Sequence, residues 1–374
     1  MLSNKITVLP SRQGDRTKPL KVVLVSNWFD NPYKKLLTHS LESHGIQIKE
    51  EMRRTFFLPQ VLFDGQPDIL HLQTLMYLFA SRNWGFYWLK FLLFMVQINL
   101  LKILGTKTVW TVHEWKDKIS QGKHDLSPQK AFLLGKTLTG IITHCNSTKQ
   151  TMIADLNLSE KKVFVVPHGN YIDSYENSQT QAEARKKLGI PATAVSFLFF
   201  GGIHLSKGVP DAIEAFKSLG DRNVHFTIAG QIPNSTLRQD IEAKTFKQPN
   251  ILLSQPEGGI ADREVQIYLN ACDVVVMPYR VFTTSGVALL AMSFKKACIA
   301  PKQGFFNDIL DERGSFLYET QTKAGLAQAM IQAVARRSDL ARMGKHNYQL
   351  AQGYSWENIA RQTIEVYQWA KAQH

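Results

Sequence analysis

The stretch from Met277 to Pro301, MPYRVFTTSGVALLAMSFKKACIAP, orders its residue types as an anion-binding turn does. An apolar strand, Val274-Val275-Val276, leads through Pro278 to the hydroxyls of Thr283, Thr284 and Ser285 and then to Gly286 and Val287. An apolar run follows and closes in a second strand-like segment, Cys298-Ile299-Ala300. The first N–H groups of a helix have no intrahelical partner and lie at the positive end of its dipole, so a phosphate docks there without a dedicated lysine. Taken alone, the stretch fits equally an ordinary strand–helix unit with a serine cap.

A second candidate is FFGGIHLSKGVPDAIEAF, Phe199 to Phe216, where a strand meets Gly201-Gly202 and then His204 and Lys207-Gly208 just ahead of a helix. Small residues admit close backbone approach, and a lysine so placed reaches a phosphate oxygen. The spacing is neither that of a Walker loop nor that of a dinucleotide fingerprint, and a solvated lysine at a helix start is the competing reading. Two further segments, the turn after Ile228-Ala229-Gly230 and the loop Gln255 to Ile260 with Glu257, offer backbone groups to a nucleobase.

These candidates need elements to position them. Val- and Ile-rich strands alternate with helical patterns from Lys21 onward: KVVLVS, then PDILHLQTL, TKTVWTVHEW, GIITHCNST and KKVFVVPHGNY. That alternation predicts a doubly wound parallel sheet whose ligands gather at the carboxyl ends of its strands. Those ends carry Asn27, Asp30, Gln73, His113, Glu114, Asn146, Ser147, His168 and Gly169, with Asp117 a little beyond. After a polar crossing between Asp173 and Pro191 a second series begins with VSFLFFGG, VHFTIAG, NILLS, CDVVVMPY and ACIAP. The predicted organisation is a basic tail at 1–20, a first domain at 21–175 and a second at 190–354, with a cleft between them. The amphipathic segment 355–374 opens at a cap-like Ser355 and must dock on something.

Length and charge agree. A chain of 374 residues exceeds one ordinary core. Its 44 Lys and Arg against 31 Asp and Glu leave +13, which attracts phosphorylated substrates or an acidic membrane surface. No nucleic-acid motif accompanies the charge, so nucleic acid is not expected as a partner. Cys145, Cys272 and Cys298 are far apart and odd in number, which reads as reduced, buried thiols in a cytoplasmic protein. The tail has no continuous apolar signal region. Trp84 to Leu104 is membrane-like but broken by Lys90, Gln97, Asn99 and Lys102, so a buried helix is expected, with docking at a membrane interface as the alternative.

In combination, NPYKKLLTHSLESHG, the strand-end Thr111-Val112-His113, Pro167 to Tyr171, Phe199 to Phe216, Ala271 to Pro301 and SWENIA at Ser355 to Ala360 resemble the GT-B glycosyltransferases. The likeness is to the large group 1, or family 4-like, set of mannosyl- and glucosyltransferases, and it runs in order over nearly the whole chain. It implies two Rossmann-like domains facing across a cleft, with the terminal helix crossing back to the first. It implies a hexosyltransferase of polysaccharide biosynthesis that uses a GDP- or UDP-hexose, a saccharide or glycolipid acceptor, and no metal. The chain would be cytoplasmic, or peripheral at the inner face of the membrane.

By the resemblance, Lys207 contacts the donor diphosphate, Gly201-Gly202 turn beneath it, Ser285 and Gly286 begin the helix that receives the distal phosphate, and His113 stands beside the donor sugar. An inverting reaction would need a base among His113, Glu114, Asp117 and Asp30, whereas a retaining one could use the donor phosphate. The chain also departs from the family. Phe282 and Leu290 replace two glutamates that bind sugar and ribose, His204 replaces an arginine, Lys295-Lys296-Ala297 replaces Gly-x-Pro, and Asp308 replaces a glutamate. The two apolar replacements keep open another class of reading, a catalytically silent GT-B subunit that binds nucleotide or glycan and supports a partner enzyme.

Overall fold

The runs of β-branched residues form strands buried on both faces, as parallel sheets covered by helices require. In the computed structural model, residues 18–26, 31–52, 55–63, 65–75, 78, 81, 83–114, 128–220, 223–322 and 324–373 are described. The basic tail up to residue 17, Asn27, Asp30 and Asp117 lie outside them.

The first half contains β1 (Lys21–Ser26), α1 (Pro32–Ser43), β2 (Gln47–Met52), α2 (Leu58–Phe63), β3 (Ile69–Leu72), α3 (Trp84–Ile103), β4 (Lys107–Thr111), α4 (Pro128–Thr137), β5 (Gly140–Thr143), α5 (Asn146–Leu156) and β6 (Val163–Val165). After α6 (Gln181–Leu188) the second half contains β7 (Val195–Phe200), α7 (Val209–Lys217), β8 (Val224–Ala229), α8 (Ser235–Thr245), β9 (Ile251–Ser254), α9 (Asp262–Ala271) and β10 (Val274–Val276). It continues with α10 (Gly286–Ser293), β11 (Ala297–Pro301), α11 (Gly304–Ile309), β12 (Ser315–Tyr318), α12 (Gly325–Ala335), α13 (Leu340–Gln352) and α14 (Trp356–Lys371).

The strands form two all-parallel six-stranded sheets, ordered β2-β1-β3-β4-β5-β6 and β12-β11-β10-β7-β8-β9. The winding reverses between β1 and β3 in the first sheet and between β7 and β10 in the second. Outside the carboxyl ends of such strand pairs an open α/β sheet leaves a crevice. The polar crossing is well ordered: Thr180 and Glu183 form a capping box at the start of α6. Arg185 of α6 is buried, and its guanidinium donates to Asp273 at 2.7 Å and to the Ala271 carbonyl at 3.0 Å.

The terminal helix α14 docks on the first sheet. Its buried face, including Ile359, Val366 and Tyr367, joins Val22, Leu37, Val109 and Ile142 in one core. Two hydrogen bonds fix its entry: the Trp356 indole N–H donates to the Asn170 carbonyl at 2.7 Å, and Ser40 donates to the Trp356 carbonyl at 3.0 Å. Asn170 ties the same segment to the second domain, its N–H donating to the Tyr354 carbonyl at 2.8 Å and its amide to the Ala351 carbonyl at 2.7 Å.

Two expectations from sequence are sharpened. The three cysteines are free and buried, and burial pushes the Cys272 thiol up to about 12. The helix α3 is buried on one face only. Its Gln97, which interrupts the apolar run in sequence, is a clamp on the buried face: its carbonyl accepts from the Phe57 and Leu58 N–H groups at 2.9 and 3.0 Å.

Gly169 adjoins the Trp356 ring so closely that an added Cβ would lie 2.4 Å from it. Gly169→Ala is therefore expected to cost about 1–3 kcal/mol and to lower the midpoint of thermal unfolding. An unchanged midpoint would mean that Trp356 does not fix the joint.

Candidate functional site

The second domain's switch point brings its two candidate loops together. The turn after β7 carries Gly201 at φ +105°, and Gly230, which ends β8 at φ +153°, lies against it. A Cβ on Gly230 would stand 1.9 Å from the Gly201 carbonyl oxygen, and one on Gly208 would stand 2.0 Å from that of Pro278. Only glycine permits these approaches. Backbone hydrogen bonds close the pair: the Arg280 and Val281 N–H groups donate to the Ser206 carbonyl at 2.8 and 3.3 Å. Arg280 also clasps Asp211 in a two-pronged ion pair at 2.5 and 2.6 Å. Lys207, on this zipped loop, rests its ammonium 3.7 Å from the centre of the Tyr279 ring, an attraction that holds it half-buried without an anionic partner among the described residues.

The start of α10 sits beside this lysine loop, with Val287 against Gly201: a Cβ on Gly201 would meet the Val287 side chain at 3.5 Å. Ser285 caps the helix, its hydroxyl accepting from the Ala288 N–H at 3.3 Å. That leaves the Gly286 and Val287 N–H groups as the open donors of the first turn. The Thr284 hydroxyl is buried there without a hydrogen-bond partner among the described residues. Across the cleft, a Cβ on Gly286 would face the Tyr171 hydroxyl at 3.2 Å and His168 Nε2 at 3.5 Å. Tyr171 is held there by its own N–H, which donates to Ser293 of α10 at 2.9 Å.

The first domain answers with a nest of imidazoles around Tyr33. The Tyr33 ring centre lies 4.8 Å from those of His113 and His168 and 5.7 Å from that of His144. A polar chain threads the nest. His144 Nδ1 donates to the Val166 carbonyl at 2.9 Å, which leaves its Nε2 as an acceptor 3.3 Å from His113 Nδ1. Gln73 joins His113 Nε2, at 2.7 Å, to His71 Nε2, at 3.1 Å, and His71 Nδ1 meets the Tyr367 hydroxyl at 2.6 Å. The structure points the Gln73 carbonyl at His113 Nε2 and its NH2 at His71 Nε2; with every ring neutral the chain closes once that amide is turned over, His113 donating from Nδ1 to His144 and Tyr367 donating to His71.

Burial keeps these rings neutral. It lowers His71 and His168 to about 3 and His144 to about 4, and with the neighbouring imidazoles it holds His113 well below the ordinary value. Neutral and with both ring nitrogens engaged, His113 shapes the cleft edge with its ring and offers a ligand no spare donor or acceptor. As a base it is weakened by the same burial.

The structure thus gathers Lys207, Gly201, Gly202, Gly230, Thr284, Ser285, Gly286 and Val287 on one wall and His113 with His168 on the other. His204 is exposed beside Gly202, and Glu257 is exposed in a turn ahead of Gly258 and Gly259, both at positive φ. Glu114 is exposed at the end of β4. Asp308 spans the domains, its carboxylate accepting from the N–H of Ser147 at 2.9 Å at the start of α5. Beside it Ser147, Phe282, Thr283 and Gly304 line an interdomain cavity of about 290 Å³. Phe282 packs against Phe306 with ring centres 4.6 Å apart and planes tilted by 47°, and Leu290 is buried in the core. Sequence reasoning missed His144, Tyr33 and Tyr279. The first follows directly on β5 and so carried a strand-end signal, whereas Tyr33 lies on a helix face that only packing turns toward the cleft.

Two parallel six-stranded sheets with alternating helices, set as two Rossmann-like domains, are the GT-B fold. Solved structures agree in fold. Sucrose-phosphate synthase from Thermosynechococcus elongatus aligns over 94% of this chain and 98% of its own, with a TM-score of 0.73 at 16% identity. Anabaena Alr3699/HepE in complex with UDP-glucose aligns over 92% and 98%, with a TM-score of 0.70 at 14% identity. Residues 194–336 match the family described as glycosyl transferases group 1. Among curated relatives, the GDP-mannose:glycolipid 4-beta-D-mannosyltransferase of Xanthomonas campestris pv. campestris is 29% identical over 172 residues, 45% of this chain and 46% of its own. The lipopolysaccharide 1,2-N-acetylglucosaminetransferase of Salmonella typhimurium is 26% identical over 216 residues, 54% and 55% of the two chains. The chain thus spans about half the length of the curated relatives it matches.

The imidazole nest sets a pH dependence. Its folded pKa values lie below the ordinary 6.5, so the unfolded chain binds more protons between that value and about 3 to 4. The nest's contribution is therefore complete above pH 6.5 and is lost as the pH falls toward 4, by about 1.4 kcal/mol per pH unit for each histidine. Denaturant melts at pH 7.5 and pH 5 should show this loss, with His144→Phe reducing the slope. A flat profile would mean that the rings are not held neutral.

Proposed function

We propose that the chain is a metal-independent hexosyltransferase that moves a hexose from a nucleotide diphosphosugar to a saccharide or lipid-linked saccharide acceptor. The observation that carries the reading is that the lysine loop and the start of α10 adjoin, Gly201 against Val287 and Gly208 against Pro278, with His168 and Tyr171 opposite the helix start. Cleaving the bond between the sugar and the diphosphate leaves growing negative charge on the leaving group. An ammonium and a helix start stabilise that charge without reorganising as it develops. The ammonium must leave Tyr279 to do so, an exchange of one attractive partner for a stronger one.

The likeness to GDP-mannose:glycolipid 4-beta-D-mannosyltransferases favours a GDP-hexose over a UDP-hexose as donor, and a glycolipid as acceptor. Their named product is a β-linkage. Transfer from an α-linked donor to a β-product inverts the anomeric centre and requires a base across the cleft. NMR of the product linkage decides between inversion and retention.

Lys207→Ala is expected to lower turnover by about 10²- to 10³-fold while the protein melts as the parent does. Turnover near that of the parent would overturn the assignment. A second reading rests on Phe282 and Leu290, which place a tilted aromatic pair and a buried aliphatic where acidic sugar and ribose contacts are expected. In it, the chain is a silent GT-B subunit that supports a partner enzyme. Release of nucleoside diphosphate by the purified chain, given donor and acceptor extract, excludes that reading, and failure with every donor that raises its melting temperature supports it.

A further inference from the structure

The helix α3 is apolar on both sides, yet only one side is covered. Tyr87, Phe91, Phe94, Gln97, Ile98 and Leu101 face the core, whereas Phe86, Leu89, Leu92, Val96, Leu100 and Ile103 face outward at helical spacing. Trp84 at its start is 76% exposed and Ile103 at its end 81%. This row is continuous along about 30 Å of helix. The exposed polar residue Asn99 turns its amide inward to the Met95 carbonyl at 2.8 Å, so it does not interrupt the row. A helix with one face clamped into a protein core cannot be surrounded by lipid, so it can lie on a bilayer but not cross it.

Charge identifies what covers this face. From Ile69 to His113 the sequence holds no Asp or Glu, but it holds Arg82, Lys90, Lys102 and Lys107. At the end of α3 the exposed Lys102 and Lys136 lie near Lys162, whose ammonium donates to the Gly135 and Leu138 carbonyls and is depressed to about 8 by burial first and by those two neighbours next. None of the three lies within ion-pair distance of a carboxylate among the described residues. Lys136 belongs to α4, which adds exposed Phe132 and Leu133 beside it. An apolar stripe with a tryptophan at one end and unneutralised lysines at the other matches the two parts of an anionic bilayer surface, acyl chains and acidic headgroups. A second protein copy would set like charges against each other at the same cluster.

We propose that the outer face of α3, with the end of α4, is a docking surface for an anionic membrane. Docking does not depend on the reaction, but its use in presenting a lipid-linked acceptor rests on the function proposed above. The chain connection supports that use. The helix α3 follows β3, so its Trp84 end lies toward the carboxyl ends of the strands, where the cleft opens.

The test is sedimentation of the full chain with phosphatidylcholine vesicles, with and without phosphatidylglycerol, at low and high salt. The chain should sediment with the anionic vesicles at low salt and be partly released by high salt. Leu92→Glu with Val96→Glu, both at exposed positions, should lower the bound fraction about tenfold or more without changing the melting temperature. Lys102→Glu with Lys136→Glu should weaken binding to anionic vesicles and remove its salt dependence. Failure to bind anionic vesicles at low salt overturns the proposal, whether or not the chain transfers sugar. So does undiminished binding by Leu92→Glu with Val96→Glu. A dimer in sedimentation equilibrium that Leu92→Glu dissociates overturns it too, since a second copy would then cover the face.

Discussion

Backbone lies on backbone where the loops after β7, β8 and β10 meet, and the candidate donor wall depends on that contact. Gly230 against the Gly201 carbonyl and Gly208 against the Pro278 carbonyl leave no room for a Cβ. Because the chains approach this closely, Ser206 can accept from two N–H groups of the neighbouring loop, and Arg280 can clasp Asp211. Lys207 is thereby held at one place relative to the start of α10, which a solvent-exposed loop lysine would not be.

The opposite wall is built by a different force. His71, His144 and His168 are buried with Tyr33, Tyr171 and Tyr367, beside a half-buried His113 and Trp356, and the cost of charging an imidazole in that setting keeps the rings neutral. Their polar atoms then need partners, which the Val166 carbonyl, Gln73 and Tyr367 supply. Tyr367 comes from the terminal helix, so the last element of the chain completes the hydrogen bonding behind the first domain's cleft wall. Between the walls, Asn170 and Tyr171 stitch the domains side by side, and the Asp308 carboxylate at the start of α5 adds a second tie.

The resemblance to group 1 glycosyltransferases and the structure meet most closely in the second domain. Each donor-side residue there is carried by a short local motif. The first domain was less legible. His113 stands out as a strand-end histidine, but its neighbours Gln73, His144 and Tyr33 come from beyond two other strands and from α1, and no spacing in the chain records them. The apolar replacements Phe282 and Leu290 were visible as departures. The tilted packing of Phe282 on Phe306 at the cavity edge was not.

Sequence alone determined the two doubly wound series, the polar crossing between them and the hydroxyl-rich helix start, because each depends on residues near one another in the chain. Strand periodicity, glycine at a turn and serine at a cap are local energies, written in consecutive residues. Tertiary structure decided which histidines meet, that Lys207 rests on Tyr279, and that α3 turns Gln97 inward while leaving an apolar row outside. Those outcomes depend on burial and on contacts between distant segments. The same apolar residue reads alike in sequence whether the fold covers it or leaves it bare.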